Sequence, residues 1–226
     1  MNHFIYRKLS KDLQNLARLI PLRWGNIQND LTDRSINMFQ IATFDDLEIA
    51  IKGLSTSNQD YFRRRWYLWK CAQCDEYLFY KNPLVRRNSN KKDQTYDIEF
   101  FGNKELRFDI KGTVIPKDLR TEKINFNAKF IQILLEFYYY KQSTGVRNNY
   151  QNRLFIVHHS FYQPNREMYL RAHWQIKEIV FTKYIQYLND SPKLLEFKGL
   201  KTDLIFIIEN ENLDISFKFA SQLVYS

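Results

Sequence analysis

The chain reads as an α/β protein, a central mixed sheet flanked by helices with an N-terminal helical addition, on three observations. Residues 96–100 and 106–110 alternate apolar and polar side chains at a period of two on either side of Gly102-Asn103-Lys104, which predicts a hairpin. Residues 125–141 then carry Phe126, Phe130, Ile133, Leu134 and Phe137 at helical spacing. Arg153-Leu154-Phe155-Ile156-Val157-His158 follows as a further strand. Strand, helix, strand is the pattern of a covered right-handed crossover, and it puts the 105–111 strand inside the sheet.

At 226 residues and 44% apolar, with 18 Phe, 15 Tyr and 4 Trp, the chain can bury a substantial core. Six Gly and five Pro argue against long flexible linkers. We divide it into residues 1–58, a helical addition suited to target recognition or a dimer contact, and residues 59–226, the α/β domain. The apolar segment Leu204-Ile205-Phe206-Ile207-Ile208 is far too short to span a membrane. The opening Met1-Asn2-His3-Phe4-Ile5-Tyr6-Arg7-Lys8 lacks a continuous apolar signal region, so a cytoplasmic protein without a membrane partner is expected.

Taken in order, a short helix is expected over 10–20 through Leu13, Leu16 and Ile20. Thr43 caps another that begins Phe44-Asp45-Asp46 and continues through Leu47, Ile51 and Leu54. A longer helix covers Tyr61 to Tyr80, with Asp60 as its cap. Phe62, Trp66, Trp69, Gln73, Glu76 and Tyr80 lie on one face of it, which predicts a core-facing stripe. Glu76 is the odd member, because a carboxylate turned inward must be paired, hydrogen-bonded or bound to metal. Cys71 and Cys74 have zinc or redox spacing, but they are the only cysteines and no further ligands stand nearby, so we read them as structural. A helix over 166–188 and a hairpin joining 203–208 to 213–219 complete the chain. His158 and His159 are adjacent and would point to opposite faces of a strand, so one site cannot use both in the simplest geometry.

The first hairpin carries the chemistry. Tyr96, Ile98 and Phe100 oppose Leu106, Phe108 and Ile110 on its core face, while Asp97, Glu99, Glu105, Arg107, Asp109 and Lys111 share the other. With a three-residue loop, Phe101 pairs with Glu105, Glu99 with Arg107 and Asp97 with Asp109. Like charges directly across a ladder are unfavourable unless compensated, and a hard divalent cation held by both carboxylates is one such compensation. A solvated charged face is the alternative. Net charge is +9, from 34 Lys and Arg against 25 Asp and Glu, which favours an anionic partner. The positive charge gathers at Arg63-Arg64-Arg65 and again, just before the hairpin, at Arg86, Arg87, Lys91 and Lys92, where it would hold a nucleic-acid backbone.

These residues resemble the PD-(D/E)xK nuclease superfamily, which has the restriction-endonuclease-like fold. Asp97 matches the first acidic position, without the usual Pro before it, and Asp109-Ile110-Lys111 matches the second element, followed by Gly112-Thr113. The family's helix, antiparallel strands, helix and further strand would cover roughly residues 60–160. The resemblance implies hydrolysis of phosphodiester bonds in DNA, with Asp97 and Asp109 holding one or two Mg²⁺ ions, or Mn²⁺ as substitute. It implies a ligand role for the Ile110 carbonyl and a direct or water-mediated one for Glu76, with Lys111 orienting water or neutralising charge. It favours a type II-like restriction enzyme acting as a homodimer, ahead of repair, recombination or mobile-element nucleases. The rival reading is a non-catalytic nucleic-acid-binding module, which needs the basic surface but no converging carboxylates.

Overall fold

Helix α1, His3–Leu16, starts where Asn2 caps it, the Asn2 side chain accepting the Ile5 N–H at 2.9 Å. It lies further toward the N-terminus than the expected 10–20, with Tyr6, Leu9, Leu13 and Leu16 buried. The structure, a computed structural model, describes residues 1–18, 30–90, 92–93, 95–121, 124–140, 151–190 and 193–225. Ile20, Lys91 and Lys141 lie outside the described residues.

After α2, Asp30–Asp33, helix α3, Phe44–Ile51, begins as expected: Thr43 Oγ1 accepts the Asp46 N–H at 3.2 Å, and Leu47 and Ile51 are buried. Helix α4, Thr56–Tyr80, starts earlier than Tyr61 because Ser55 caps it. Asp60, expected as the cap, instead pairs with Arg63 one turn on, at 3.2 Å.

Strands β1, Val85–Arg87, β2, Ile98–Phe100, and β3, Arg107–Val114, form an antiparallel meander. The expected core set is buried at Ile98, Phe100, Leu106, Phe108 and Ile110, and Glu99 pairs with Arg107. The connection differs from a plain three-residue loop. Phe101 and Gly102 take left-handed backbone angles, and Asn103 accepts the Glu105 N–H at 2.9 Å, winding Lys104–Leu106 into a short 3-10 turn. The Phe101–Glu105 pair therefore falls outside the ladder.

Helix α5, Ala128–Tyr140, follows, with the Asn127 side chain accepting the Phe130 N–H at 2.9 Å. Its buried stripe is Ile131, Leu134, Leu135, Tyr138 and Tyr139; Ile133, expected inside, is exposed. Strand β4, Arg153–Ser160, then runs parallel to β3. The single helix expected over 166–188 is two, α6, Glu167–Arg171, and α7, Trp174–Asp190. A continuous helix would place Arg171 and Lys177, six residues along, about 120° apart around the axis. The break lets both reach Asp75, each at 2.7 Å.

Strands β5, Leu195–Phe197, β6, Leu200–Glu209, and β7, Ile215–Phe219, with helix α8, Ala220–Tyr225, end the fold. Strand β5 was not anticipated. Leu213 belongs to the turn, at φ +69°, so alternation in the last strand begins only at Ile215. Among the described residues seven strands make one mixed sheet in the order β1-β2-β3-β4-β6-β5, with β7 also antiparallel to β6. Helices cover both faces. Leu154 and Ile156 of β4 join a cluster with Leu13, Phe62, Trp66, Phe79 and Phe181, whereas Phe155 and Val157 join Ile131, Leu134, Tyr138 and Ala220. Burial on both sides explains the near-continuous apolar runs of β4 and β6. Side chains of α1 enter the same cluster as the sheet, and Trp174 Nε1 ties α7 to the Ser10 carbonyl at 2.9 Å.

Candidate active site

Strand β3 supplies Asp109, Ile110 and Lys111 from its middle. Asp97 stands immediately before β2, held by its own backbone: its N–H donates to the Phe108 carbonyl at 2.8 Å, and its carbonyl accepts the Asn88 N–H at 2.9 Å. The side chain is held as well, Asp97 Oδ2 accepting the Ile110 N–H at 2.8 Å. Successive residues on a strand turn their N–H and C=O to opposite edges. The Asp109 N–H donates to the Asn152 carbonyl on the β4 side, so the Ile110 N–H and C=O both face the β2 side. The β2–β3 register ends at Ile98–Phe108, which leaves the Ile110 carbonyl beside Asp97 just past the last paired residue.

Asp97 and Asp109 come within hydrogen-bonding reach of each other. Burial, followed by the charge of Asp109, pushes the Asp97 carboxyl up to about 6, against the pull of the Ile110 N–H and of Lys111. Asp109 is 5% exposed and Glu99 is buried as well, so these two carboxylates of the polar face are withdrawn from solvent. Its Oδ1 meets Lys111 Nζ at 2.8 Å. Its buried Oδ2 has no hydrogen bond among the described residues, and Arg153 Nε stands 3.5 Å away.

Glu76 approaches from α4. Burial first, then the negative charge of Asp97, raises its carboxyl to about 8; Arg87, 3.6 Å away, and Lys111 act in the opposite direction. Its orientation differs from the expected inward one. Glu76 is half-buried, as are Trp69, Gln73 and Tyr80, and the fully buried carboxylate is its neighbour Asp75. The period of the stripe was real, but Gln73 and Tyr80 line a groove, and Trp69 and Tyr80 pack only partly buried against the core.

Of the basic residues, Arg87 is brought to the carboxylates, stacked over Tyr80 at 5.5 Å. Arg86, its neighbour on β1, projects from the other face, opposite Glu99 and against Gly102. Lys92 is exposed in a turn where the Asn90 side chain accepts its N–H.

Two features were missed from the sequence. Arg153 faces Asp109 because the two are registered across the parallel β3–β4 pair, and such a register cannot be read from spacing. The buried Asp75–Arg171–Lys177 cluster lies beneath Gly112, where a Cβ would sit 1.7 Å from Arg171 Nη1. A glycine inside a strand was the available signal, since it marks close approach by another group.

The histidines and cysteines stay apart from this chemistry. His158 Nδ1 lies 3.1 Å from the Thr113 carbonyl and His159 Nδ1 lies 3.3 Å from Glu167, both inside the fold. Cys71 and Cys74 are buried and free, and burial pushes the Cys71 thiol up to about 12.

Among the described residues no three His, Cys, Asp or Glu side chains converge tightly enough to form a metal centre by themselves. The donor set at this place is two carboxylates and a backbone carbonyl. That suits a hard cation which keeps several waters, as Mg²⁺ does, and Asp109 Oδ2, which has the Arg153 ion pair at 3.5 Å but no hydrogen bond among the described residues, is the atom such an ion would satisfy. Comparisons with family models, with curated proteins and with solved structures return no match to this chain.

Proposed function

We propose that the protein is a metal-dependent nuclease that hydrolyses phosphodiester bonds in DNA. The observation that carries this reading is the Asp97–Asp109 pair, Asp109 buried and Asp97 half-buried, with Lys111 beside it: two carboxyl groups held together where the β2–β3 pairing ends, with one carboxylate oxygen lacking a hydrogen bond among the described residues. The order α4, β1–β2–β3, α5, β4, with β4 parallel to β3, supports it further, since this is the succession of elements that a restriction-endonuclease-like fold requires.

Asp97, Asp109 and the Ile110 carbonyl would hold Mg²⁺, with Glu76 reaching it through water. When bound, the ion supplies charge neutralisation at the phosphoryl oxygens and acidifies a water. The chain's own groups do the remainder. The Ile110 N–H fixes the Asp97 carboxylate in one orientation before substrate arrives. Lys111, whose side chain is 43% exposed, carries its ammonium from Asp109 outward, where it meets negative charge on the scissile phosphate. Arg87 holds Glu76 and adds positive charge at the rim.

Incubating the purified protein with a sequence-diverse DNA pool, with Mg²⁺ or Mn²⁺ and with a chelator, tests the proposal. Cutting that needs the cation and is abolished by D109N, in a variant with unchanged circular dichroism, is the expected result. Recurrent ends at one short sequence would make the protein a restriction enzyme, whereas cutting governed by flaps or junctions would favour repair or recombination. Intact DNA under all conditions, with binding lost on charge reversal at Arg86, Arg87 and Lys92, would replace the nuclease by a binding module.

A further inference from the structure

The stripe on α4 that was expected in the core leads away from the carboxylates along an open groove. Gln73 and Tyr80, one turn to either side of Glu76, form one wall, and Phe4, Ile5 and Lys8 of α1 form the other. The groove has a volume of about 420 Å³, a size suited to one or two nucleotides of a ligand. Two of its apolar side chains are exposed, Phe4 at 78% and Ile5 at 51%.

Its charge is selective. Among the described lining residues, Lys8, Lys70 and Arg87 are cations and Asp12 is the single carboxylate. Lys70 is the informative one. It is 6% exposed, and its ammonium lies over the Trp69 ring at 4.3 Å and the Trp66 ring at 5.4 Å. Among the described residues it has no carboxylate within 4 Å. Burial lowers its pKa, a cost that an anion in the groove would offset. At the far end Arg87 belongs to both places, stacked on Tyr80 and 3.6 Å from Glu76.

We propose that this groove between α1 and α4 binds an unpaired stretch of a DNA strand next to the candidate active site, with bases against Phe4 and Tyr80 and phosphates against Lys8, Lys70 and Arg87. Aromatic faces interleaved with cations are the chemistry of single-strand binding, because every base can stack and every phosphate carries charge. A duplex presents its phosphates outside and its bases stacked away from such a groove. The inference rests on the nuclease reading for the identity of the polymer, and it narrows the substrate to DNA with a single-stranded segment beside the scissile bond.

Fluorescence anisotropy tests it, using the full chain carrying D109N so that no substrate is consumed. The probes are a labelled oligo-dT strand of about ten nucleotides and a duplex of the same length. The single strand should bind about tenfold tighter than the duplex, and F4A and K70Q should each weaken it by about fivefold or more. F4A alters an exposed side chain and so reads the groove even if K70Q proves unstable. Unchanged strand affinity in F4A and in a folded K70Q, or a duplex preference that neither variant moves, overturns the proposal. If the wild-type protein never cuts DNA yet F4A still weakens strand binding, the hydrolase reading fails and the groove assignment stands.

Discussion

Lys111 Nζ lies 2.8 Å from Asp109 Oδ1, two residues back on the same face of β3. The pairing neutralises a carboxylate that is otherwise almost fully enclosed, yet leaves the lysine partly in solvent. K111M should lower the single-turnover rate of Mg²⁺-dependent cleavage by about 100-fold or more, and it should also lower the thermal midpoint, because the enclosed Asp109 carboxylate loses a compensating charge. An unchanged rate in rapid-quench measurements would remove Lys111 from the site.

A divalent cation should stabilise the protein with no DNA present. Held between Asp97 and Asp109, Mg²⁺ or Mn²⁺ at about 100 times its dissociation constant contributes roughly 2.7 kcal/mol, a rise of several degrees in the midpoint of a calorimetric scan at pH 7. D97N and D109N should each remove the rise. Equal stabilisation of the wild type and both variants would place any bound ion elsewhere.

Glu76 makes the metal-free protein less stable as pH rises. Its carboxyl titrates near 8 in the fold against a usual 4.5, so between those values the folded state holds a proton that the unfolded chain has released. The stabilising contribution is full below 4.5 and is lost as pH rises through 8. E76Q cannot ionise and should therefore match the wild type at acid pH and exceed it by about 2 kcal/mol near pH 8. Chemical denaturation across that range in a chelator measures the difference, and parallel curves would contradict it.

Gly112 should tolerate no side chain. In G112A the new methyl would collide with Arg171 Nη1, which cannot retreat without leaving Asp75 buried and short of a partner. A loss of about 3 kcal/mol or more is expected, from overpacking together with disturbance of a buried ion pair. Urea unfolding of G112A with wild-type stability would mean that Arg171 has another place to go.

How far the sequence spoke depended on whether a feature was local. The Ile98–Phe100 and Phe108–Ile110 burial, the Glu99–Arg107 pair and the Asp97–Asp109 encounter all arise within one hairpin, where period two fixes the face of every residue. Thr43 was legible for the same reason, since a cap acts on its own first turn. Arg153, Arg171 and Lys177 were not, because each arrives through sheet register or helix docking across a long stretch of chain. On α4, helical periodicity located the stripe containing Glu76, but it could not tell a face that meets the sheet from one that meets a groove. Both bury aromatic rings, and only the neighbours decide.

The hydrogen bond from the Ile110 amide to Asp97 Oδ2, 2.8 Å long, gives the protein a built-in spectroscopic gauge. An amide proton moves downfield when its acceptor gains full negative charge. The Ile110 cross-peak in a proton–nitrogen correlation spectrum should therefore trace the ionisation of Asp97, with a midpoint of about 6. Divalent cations should displace that midpoint downward, so one backbone resonance follows the charge state of the site without substrate, turnover or label.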